Sequence, residues 1–583
     1  MREQLETDSE CLNFLQNFKH PPPPHTHTHI HPPTHTYKAN RHQQLLQVSL
    51  QDTEETMGSE VGFTSLGLVA WLCCLSLGPV EGGKVLVIPA DGSHWLSMKI
   101  LVKELNRRGH DVLVLVPENS LLIHDSASYK TETYQVSFTS GELDEMMSEL
   151  KTGLFLKPPK ITDLFVNVQR FVNFTSIQLK ACEDLLHNQP LMRRLRGVGF
   201  DTVLTDPFVP CGSIVARVFS IPVVYFLRGL PCELDLKANQ CPTPPSYVPV
   251  SYSGNTNIMT FPQRVKNVLM SVTELYTCRL LFGHYDQMVS RYLGEDITYK
   301  ELLGDGAIWL LRYDFAFEWP RPLLPNMVLI GGINCAKGAP LPADLEEFVD
   351  GSGEDGFIVL TLGSMVPSMP EEKARRFFDA FRQIPQRVVW RHAGVPPEGV
   401  PTNVRLMPWI PQNDLLAHPK AKVFITHGGT HGIYEGICNA VPMLIFPLFG
   451  DQGDNVHRLV TRGVAESLGI YDVTTEKLLA ALNKIIHDKS YKERIAALSQ
   501  IHLDRPVPPL ELAVFWTEFV MRHKGAAHLK VAAHDLNWIQ YHSLDVIGII
   551  VLTLLIVLWV TLKCCLFCVR KCYRKGTAKR KSE

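Results

Sequence analysis

Excess charge of either sign is missing from this chain: 57 Lys and Arg against 59 Asp and Glu leave a formal net charge of -2 over 583 residues. Nucleic-acid binders carry a basic patch or stripe, so that class of partner is set aside. Cysteines in metal spacing are missing from the body of the chain too, since none of the seven from Cys182 to Cys438 forms a pair with the separation of a zinc site. The first 56 residues differ from the rest and lack a pattern that could bury a core. Their PPPPHTHTHIHPPTHT tract is low in complexity and reads as a disordered tail, its histidines having no fixed ligand geometry. Residues 546–562 lack any charge, and with Lys563 snorkelling they are long enough for a bilayer core of ~30 Å. The remainder, at 45% hydrophobic and 20% charged overall, is globular and long enough for more than one domain.

The two ends suggest a secreted and anchored chain. Residues 61–80 form an apolar stretch with small residues near its end, as in the h-region and cleavage zone of a signal peptide, and Met57 just before it reads as the working start. Its n-region carries Glu60 and no positive charge; translation from Met1 would make the segment internal. Beyond the C-terminal span, Arg570, Lys571, Arg574, Lys575, Lys579, Arg580 and Lys581 face a single Glu583. That bias makes the tail cytoplasmic and the body lumenal. The ending KRKSE resembles a dilysine signal for retention in the endoplasmic reticulum. Asn173-Phe174-Thr175 is a glycosylation sequon consistent with that exposure. Cys564, Cys565, Cys568 and Cys572 at the membrane edge are palmitoylation candidates, and the seven lumenal cysteines leave at least one thiol unpaired. A short loop closed by Cys232 and Cys241 is one pairing open to them.

Between the ends, two α/β halves are expected. The first begins with a strand over 84–89, a turn through Gly92, a helix over 95–108 stopped by Gly109, and a strand over 111–116, with more strands at 202–205 and 222–226. Apolar runs alternating with helical segments indicate parallel sheets covered on both faces. The second half has strands at 357–362, 387–390, 423–425 and 441–448, and helices near 371–383, 430–439, 454–462 and 475–487. Residues 319–342, rich in Pro and Gly, read as the linker, and 506–525 as a return across the cleft.

The most informative segment is 424–455, FITHGGTHGIYEGICNAVPMLIFPLFGDQGDN. A strand delivers His427, Gly428 and Gly429 into a turn that opens a helix, the arrangement that offers backbone N–H groups to phosphate. Asp451 and Gln452 follow the next apolar run, at the strand end where open α/β sheets bind ligands. His94, in DGSHWLSM, follows the first strand, and Asp206 ends TVLTD in another strand of the same sheet. An imidazole oriented by a carboxylate is a general base.

The segment resembles the signature of UDP-dependent glycosyltransferases, specifically the family 1 type of UDP-glucuronosyltransferase, and the resemblance covers residues 84–583, with YFLRGLPC, NQCP, SLDVIG and FVMRHKGA also matching. It implies two Rossmann-like doubly wound domains facing a cleft (the glycosyltransferase-B fold), at 84–330 for the acceptor and 331–525 for the UDP-sugar, then a juxtamembrane segment, one transmembrane helix and a basic tail. It implies His94 and Asp206 as the catalytic pair, and Trp409 and Gln412 of PWIPQ on the nucleotide. The diphosphate would lie on Ser364, Arg391, His427, Gly428, Gly429, Thr430, His431 and Gly432, the ribose on Glu435, and the sugar on Asp451 and Gln452. His431 replaces the Asn of one branch, and Thr430 a common Ser. Arg264 in FPQRVKN is a candidate for the glucuronate carboxylate. The implied reaction is inverting transfer of glucuronic acid from UDP-glucuronate to phenols, steroids, bilirubin-like or xenobiotic compounds. It uses no cofactor and no metal, because backbone N–H groups replace a DxD motif. A UDP-glucose enzyme and a silent partner subunit are the alternatives, and association with related transferases is a further implication of the resemblance.

Overall fold

A computed structural model describes residues 82–156, 164–366 and 368–579. The N-terminal extension, nearly all of the expected signal segment and the last four residues lie outside them. Seven parallel strands form the first sheet: β1 (Lys84–Ile88), β2 (Asp111–Pro117), β3 (Lys130–Tyr134), β4 (Thr202–Thr205), β5 (Val223–Leu227), β6 (Ile308–Leu311) and β7 (Met327–Leu329), in the order β3-β2-β1-β4-β5-β6-β7. Six more form the second: β8 (Phe357–Leu360), β9 (Arg387–Arg391), β10 (Val404–Met407), β11 (Ala421–Thr426), β12 (Met443–Ile445) and β13 (Ala465–Ser467), in the order β10-β9-β8-β11-β12-β13. In both, the order reverses beside the first strand, which opens a crevice at the carboxyl ends.

The apolar runs are continuous because both faces are covered. Val85 and Val87 pack under Trp95, Met98 and Leu101 of the helix Ser93–Arg107, while Leu86 and Ile88 face Leu185 and Ile214 on the other side. A buried Leu101 is worth roughly 2–5 kcal/mol against Ala at such a position. The helix Pro509–His523 returns to the first sheet, adding Ala513, Val514, Val520 and Met521 to the core under β1. The last stretch of the expected 331–525 domain therefore packs with the N-terminal one. The expected linker is not all loop either: Met327–Leu329 adds to the sheet edge as β7, its three residues being too short a run to stand out among prolines. The 441–448 run yields only three strand residues, since Pro442 and Pro447 bracket them.

Three disulfides join Cys182 to Cys211, Cys232 to Cys278, and Cys335 to Cys438, and Cys241 is a buried free thiol. The Cys232–Cys241 loop is thus corrected: the helix Phe261–Leu293 brings Cys278 to Cys232 instead. Asn173 is exposed on the helix Leu164–His187. Among the described residues, a single helix, Leu544–Lys579, contains a stretch long and apolar enough to cross a membrane, with mean hydropathy 2.7 and none of it buried.

Candidate functional site

Register explains why residues distant in sequence meet. Ile88 pairs with Thr205, so β1 and β4 end level and release His94 and Asp206 side by side. His94 is the second residue of its helix, and Nδ1 lies 2.6 Å from Asp206 Oδ2. The carboxylate is buried and its Oδ1 accepts from Phe208 N–H at 2.9 Å, whereas the imidazole keeps 31% of its surface. One ring edge is therefore fixed and the other faces the cleft. Asp91, which sequence reasoning passed over, holds the loop before His94 by accepting from Gly92 N–H and Ser120 Oγ, each at 2.6 Å.

On the facing domain, Leu360 pairs with both Ile425 and Trp390, which aligns three turns at the same edge. The His427 ring rests against two glycines: a Cβ on Gly363 or Gly429 would lie 2.5 Å from it. Gly428 has φ +89°, which excludes most side chains. The helix Thr430–Cys438 thus begins with its backbone N–H groups uncovered by side-chain caps. Burial pushes His427 down to about 4, with Asp451 opposing and Arg391 adding, so the ring is neutral at pH 7. Ser364 Oγ is buried without a hydrogen-bond partner, and Arg391 Nε likewise. Two orphaned donors at this turn fit an anion.

The residues expected to hold the nucleotide converge as well. Trp409 is 54% exposed with the Arg391 guanidinium 4.9 Å from its ring centre. Gln412 Nε2 donates to Glu435 Oε2, and His431 Nε2 lies 3.4 Å from Glu435 Oε1. Gly432 packs within 3.3 Å of Gln412 for a Cβ placed there. Asp451 accepts from Asn455 Nδ2 at 2.8 Å and from Thr430 Oγ1 at 3.4 Å. Gln452 Oε1 accepts from Leu448 and Phe449 N–H, which leaves its NH2 end to donate. Arg264 is not brought into this group: it is exposed near the start of the helix Phe261–Leu293, against Phe261.

Two arginines that sequence reasoning missed are buried beside these groups, and one of them, Arg228, reaches the other domain. Arg228 follows β5 and reaches Glu318, Asn455 Oδ1 at 3.0 Å and Asp451 Oδ2 at 3.5 Å. Burial, the largest single effect, works against its charge, and Glu318, Tyr434, Tyr313 and Asp451 together hold it above its usual range. Arg312 follows β6, and its Nη1 donates to Ser97 Oγ at 2.8 Å. Ser97 is 2.9 Å from His431 Nδ1, so the helices Ser93–Arg107 and Thr430–Cys438 meet through one hydroxyl. Ser97 Oγ accepts from Arg312 and also donates to the Ser93 carbonyl oxygen at 3.3 Å, so this hydroxyl ties the first turn of its own helix to His431. The signal was there: each arginine stands directly after an apolar strand, as Asp206 does.

Residues 83–580 match the family model described as UDP-glucoronosyl and UDP-glucosyl transferase. A UDP-glucuronosyltransferase of Pleuronectes platessa is 70% identical over 472 residues, covering 80% of this chain and 100% of the relative. UDP-glucuronosyltransferase 1A1 of Homo sapiens is 47% identical over 516 residues, with 88% and 97% covered. Among solved structures, the glycosyltransferase VinC in complex with DTDP has a TM-score of 0.52 at 19% identity, covering 76% of this chain and 100% of that one. The spinosyn forosaminyltransferase SpnP has a TM-score of 0.51 at 18% identity, with 76% and 99% covered. The fold is therefore that of the glycosyltransferase-B enzymes, and the chain belongs to the UDP-glucuronosyl and UDP-glucosyl transferase family.

Proposed function

We propose that this enzyme, a UDP-glucuronosyltransferase, transfers glucuronic acid from UDP-glucuronate to a hydroxyl of a small lipophilic acceptor such as a phenol or steroid, with inversion, using His94 as the base. The observation that carries this is the 2.6 Å contact of His94 with buried Asp206, across the cleft from the His427–Gly432 turn. His94 Nε2 takes the acceptor proton as its oxygen attacks the anomeric carbon. The proton on Nδ1 stays hydrogen-bonded to Asp206, whose charge stabilises the imidazolium. The bond from the anomeric carbon to the diphosphate oxygen breaks with its electron pair, and UDP leaves. Negative charge growing on the diphosphate is met by N–H groups at the start of the helix Thr430–Cys438, by Ser364 and by Arg391. Neutral His427 adds bulk and a hydrogen bond without a competing charge. Trp409 offers a stacking face for uracil, Gln412 and Glu435 take nucleotide edges, and Asp451 with Gln452 takes sugar hydroxyls.

The single apolar helix and the basic residues after it support a single-pass anchor with a lumenal body in the endoplasmic reticulum membrane. Three disulfides fit an oxidising compartment. Acceptors dissolved in that membrane lie close to the cleft, and pairing with related transferases is part of the same reading. The test uses membranes expressing residues 57–583 with a simple phenol and UDP-glucuronate, UDP-glucose or UDP-N-acetylglucosamine, the product being identified by mass. Conjugation with glucuronate, lost in His94→Ala while UDP binding persists, is expected. Undiminished turnover in His94→Ala would remove the proposed base.

A further inference from the structure

Strand β4 ends at Thr205, and the turn that carries Asp206 leaves the hydrogen-bond ladder of the sheet there. Local bonds alone hold it weakly: the Asp206 carboxylate takes Phe208 N–H, and the Asp206 carbonyl takes Val209 N–H at 3.4 Å. The next two carbonyls, on Pro207 and Phe208, receive no backbone N–H among the described residues. Pro207 is buried, where a carbonyl without a donor is costly. Two tyrosines meet them instead. Tyr299 Oη donates to the Pro207 oxygen, and Tyr285 Oη donates to the Phe208 oxygen at 3.1 Å.

Both hydroxyls are fixed by the fold around them. Tyr299 opens the helix Tyr299–Leu303, whose cap residue Thr298 exchanges hydrogen bonds with Glu301, and its N–H donates to Asp286 Oδ1 at 2.7 Å. Asp286 follows Tyr285 on the helix Phe261–Leu293, so the two tyrosines come together with ring centres 5.2 Å apart. Neither is more than 1% exposed. Burial pushes both phenols above their ordinary range, so each keeps the proton it donates. The turn they hold touches His94 twice. Asp206 Oδ2 is 2.6 Å from Nδ1, and the Phe208 ring centre is 5.7 Å from that of the imidazole.

We propose that Tyr285 and Tyr299 are positioning residues of the transfer reaction: their paired hydroxyls hold the Pro207–Phe208 turn and through it fix Asp206 against His94. The inference rests on His94 being the base, as given above. It accounts for two buried phenols on consecutive carbonyls, where core packing alone would be served by phenylalanine. It also accounts for a sheet that ends at Thr205 without leaving the carboxylate free to swing. A small displacement of the turn matters because proton transfer and attack need the reacting atoms aligned.

The test measures kcat, donor KM and UDP affinity in membranes holding wild type, Tyr299→Phe, Tyr285→Phe, the double variant and Tyr292→Phe, with a melting curve on the solubilised protein. Each replacement keeps the ring and removes the hydroxyl. Tyr299→Phe and Tyr285→Phe should each lower kcat about tenfold, the rate equivalent of one hydrogen bond lost at a buried carbonyl, with donor KM and UDP affinity unchanged. The double variant should lose about 100-fold. Tyr292→Phe, on the same helix but with its hydroxyl 3.0 Å from His187 Nε2, should match wild type. Placed on Asp206→Asn, the two replacements should lower kcat by less than about twofold, since groups that act through Asp206 have nothing left to position. Full additivity with Asp206→Asn, or a parallel loss of UDP affinity, would make the tyrosines structural residues and overturn the assignment. Wild-type kcat in the double variant would do the same. Full turnover in His94→Ala would instead remove the base, and the inference with it, whatever the tyrosine variants do.

Discussion

Asp206→Asn isolates the electrostatic part of the mechanism because the structure fixes what the new amide must do. Asp206 Oδ1 accepts from Phe208 N–H at 2.9 Å, and the amide oxygen will keep that bond since a buried N–H without an acceptor is costly. The NH2 then turns to His94 Nδ1, 2.6 Å away in the native pair. A donor there forces the ring proton onto Nε2, the nitrogen that has to receive the acceptor's proton. The base is blocked before any charge is counted. Charge adds to this: two unit charges about 4 Å apart, the separation of the group centres, attract by about 4 kcal/mol at an effective dielectric of 20. At about 1.4 kcal/mol per decade, kcat should fall by roughly 1,000-fold, with tautomer reversal pushing it further. The groups proposed to hold UDP lie on the other domain, so UDP affinity should stay near wild type. The assay is glucuronide formation under saturating donor, paired with UDP displacement and a melting curve to verify the fold. A variant within tenfold of wild-type kcat and with intact UDP binding would refute the assigned role of Asp206.

Three other outcomes are expected. Gly429→Ala brings a Cβ to 2.5 Å from the His427 ring, and strain of about 1–3 kcal/mol should raise the donor KM roughly tenfold, read by initial rates against UDP-glucuronate; an unchanged KM counts against the turn as the diphosphate seat. His427 titrates near 4 when folded and near 6.5 when unfolded, so the unfolded chain binds more protons between those values. Its contribution to stability is complete above pH 6.5 and declines toward pH 4, by at most about 3 kcal/mol, and urea midpoints should fall with acid less steeply in His427→Gln. Cys335→Ser opens a bridge spanning 103 residues and should cost about 2–5 kcal/mol in the melting curve, whereas Cys241→Ser should keep all three bridges in non-reducing peptide maps.

Local chemistry was readable where a motif is contiguous. The turn through His427, Gly428 and Gly429 needs glycine because the imidazole occupies the space a Cβ would take, and that requirement is written in adjacent letters. Strands such as Thr202–Thr205 and helices such as Thr475–His487 were legible because apolar runs and 3.6-residue periods are local too. Arg228 and Arg312 were harder. Each follows an apolar strand, but a basic residue after a strand is ordinarily solvated, and only burial under both domains gives it a meaning. Edge strands were lost for a related reason: β7 and β13 hold three residues each and persist through their neighbours' hydrogen bonds, not their own propensity. The pairing of Cys232 with Cys278 follows from a helix docking, which no spacing rule contains.

The sequence by itself determined the family, the two α/β halves and the apolar C-terminal helix, since each rests on neighbours along the chain. Tertiary structure decided which groups act together. Parallel register places Thr205 beside Ile88 and Leu311 beside Leu227, and so sets Asp206 against His94 and Arg312 level with Arg228. Packing of one domain on the other then ties Ser97 to His431 and Arg228 to Asn455, contacts that belong to the space between domains rather than to any stretch of chain.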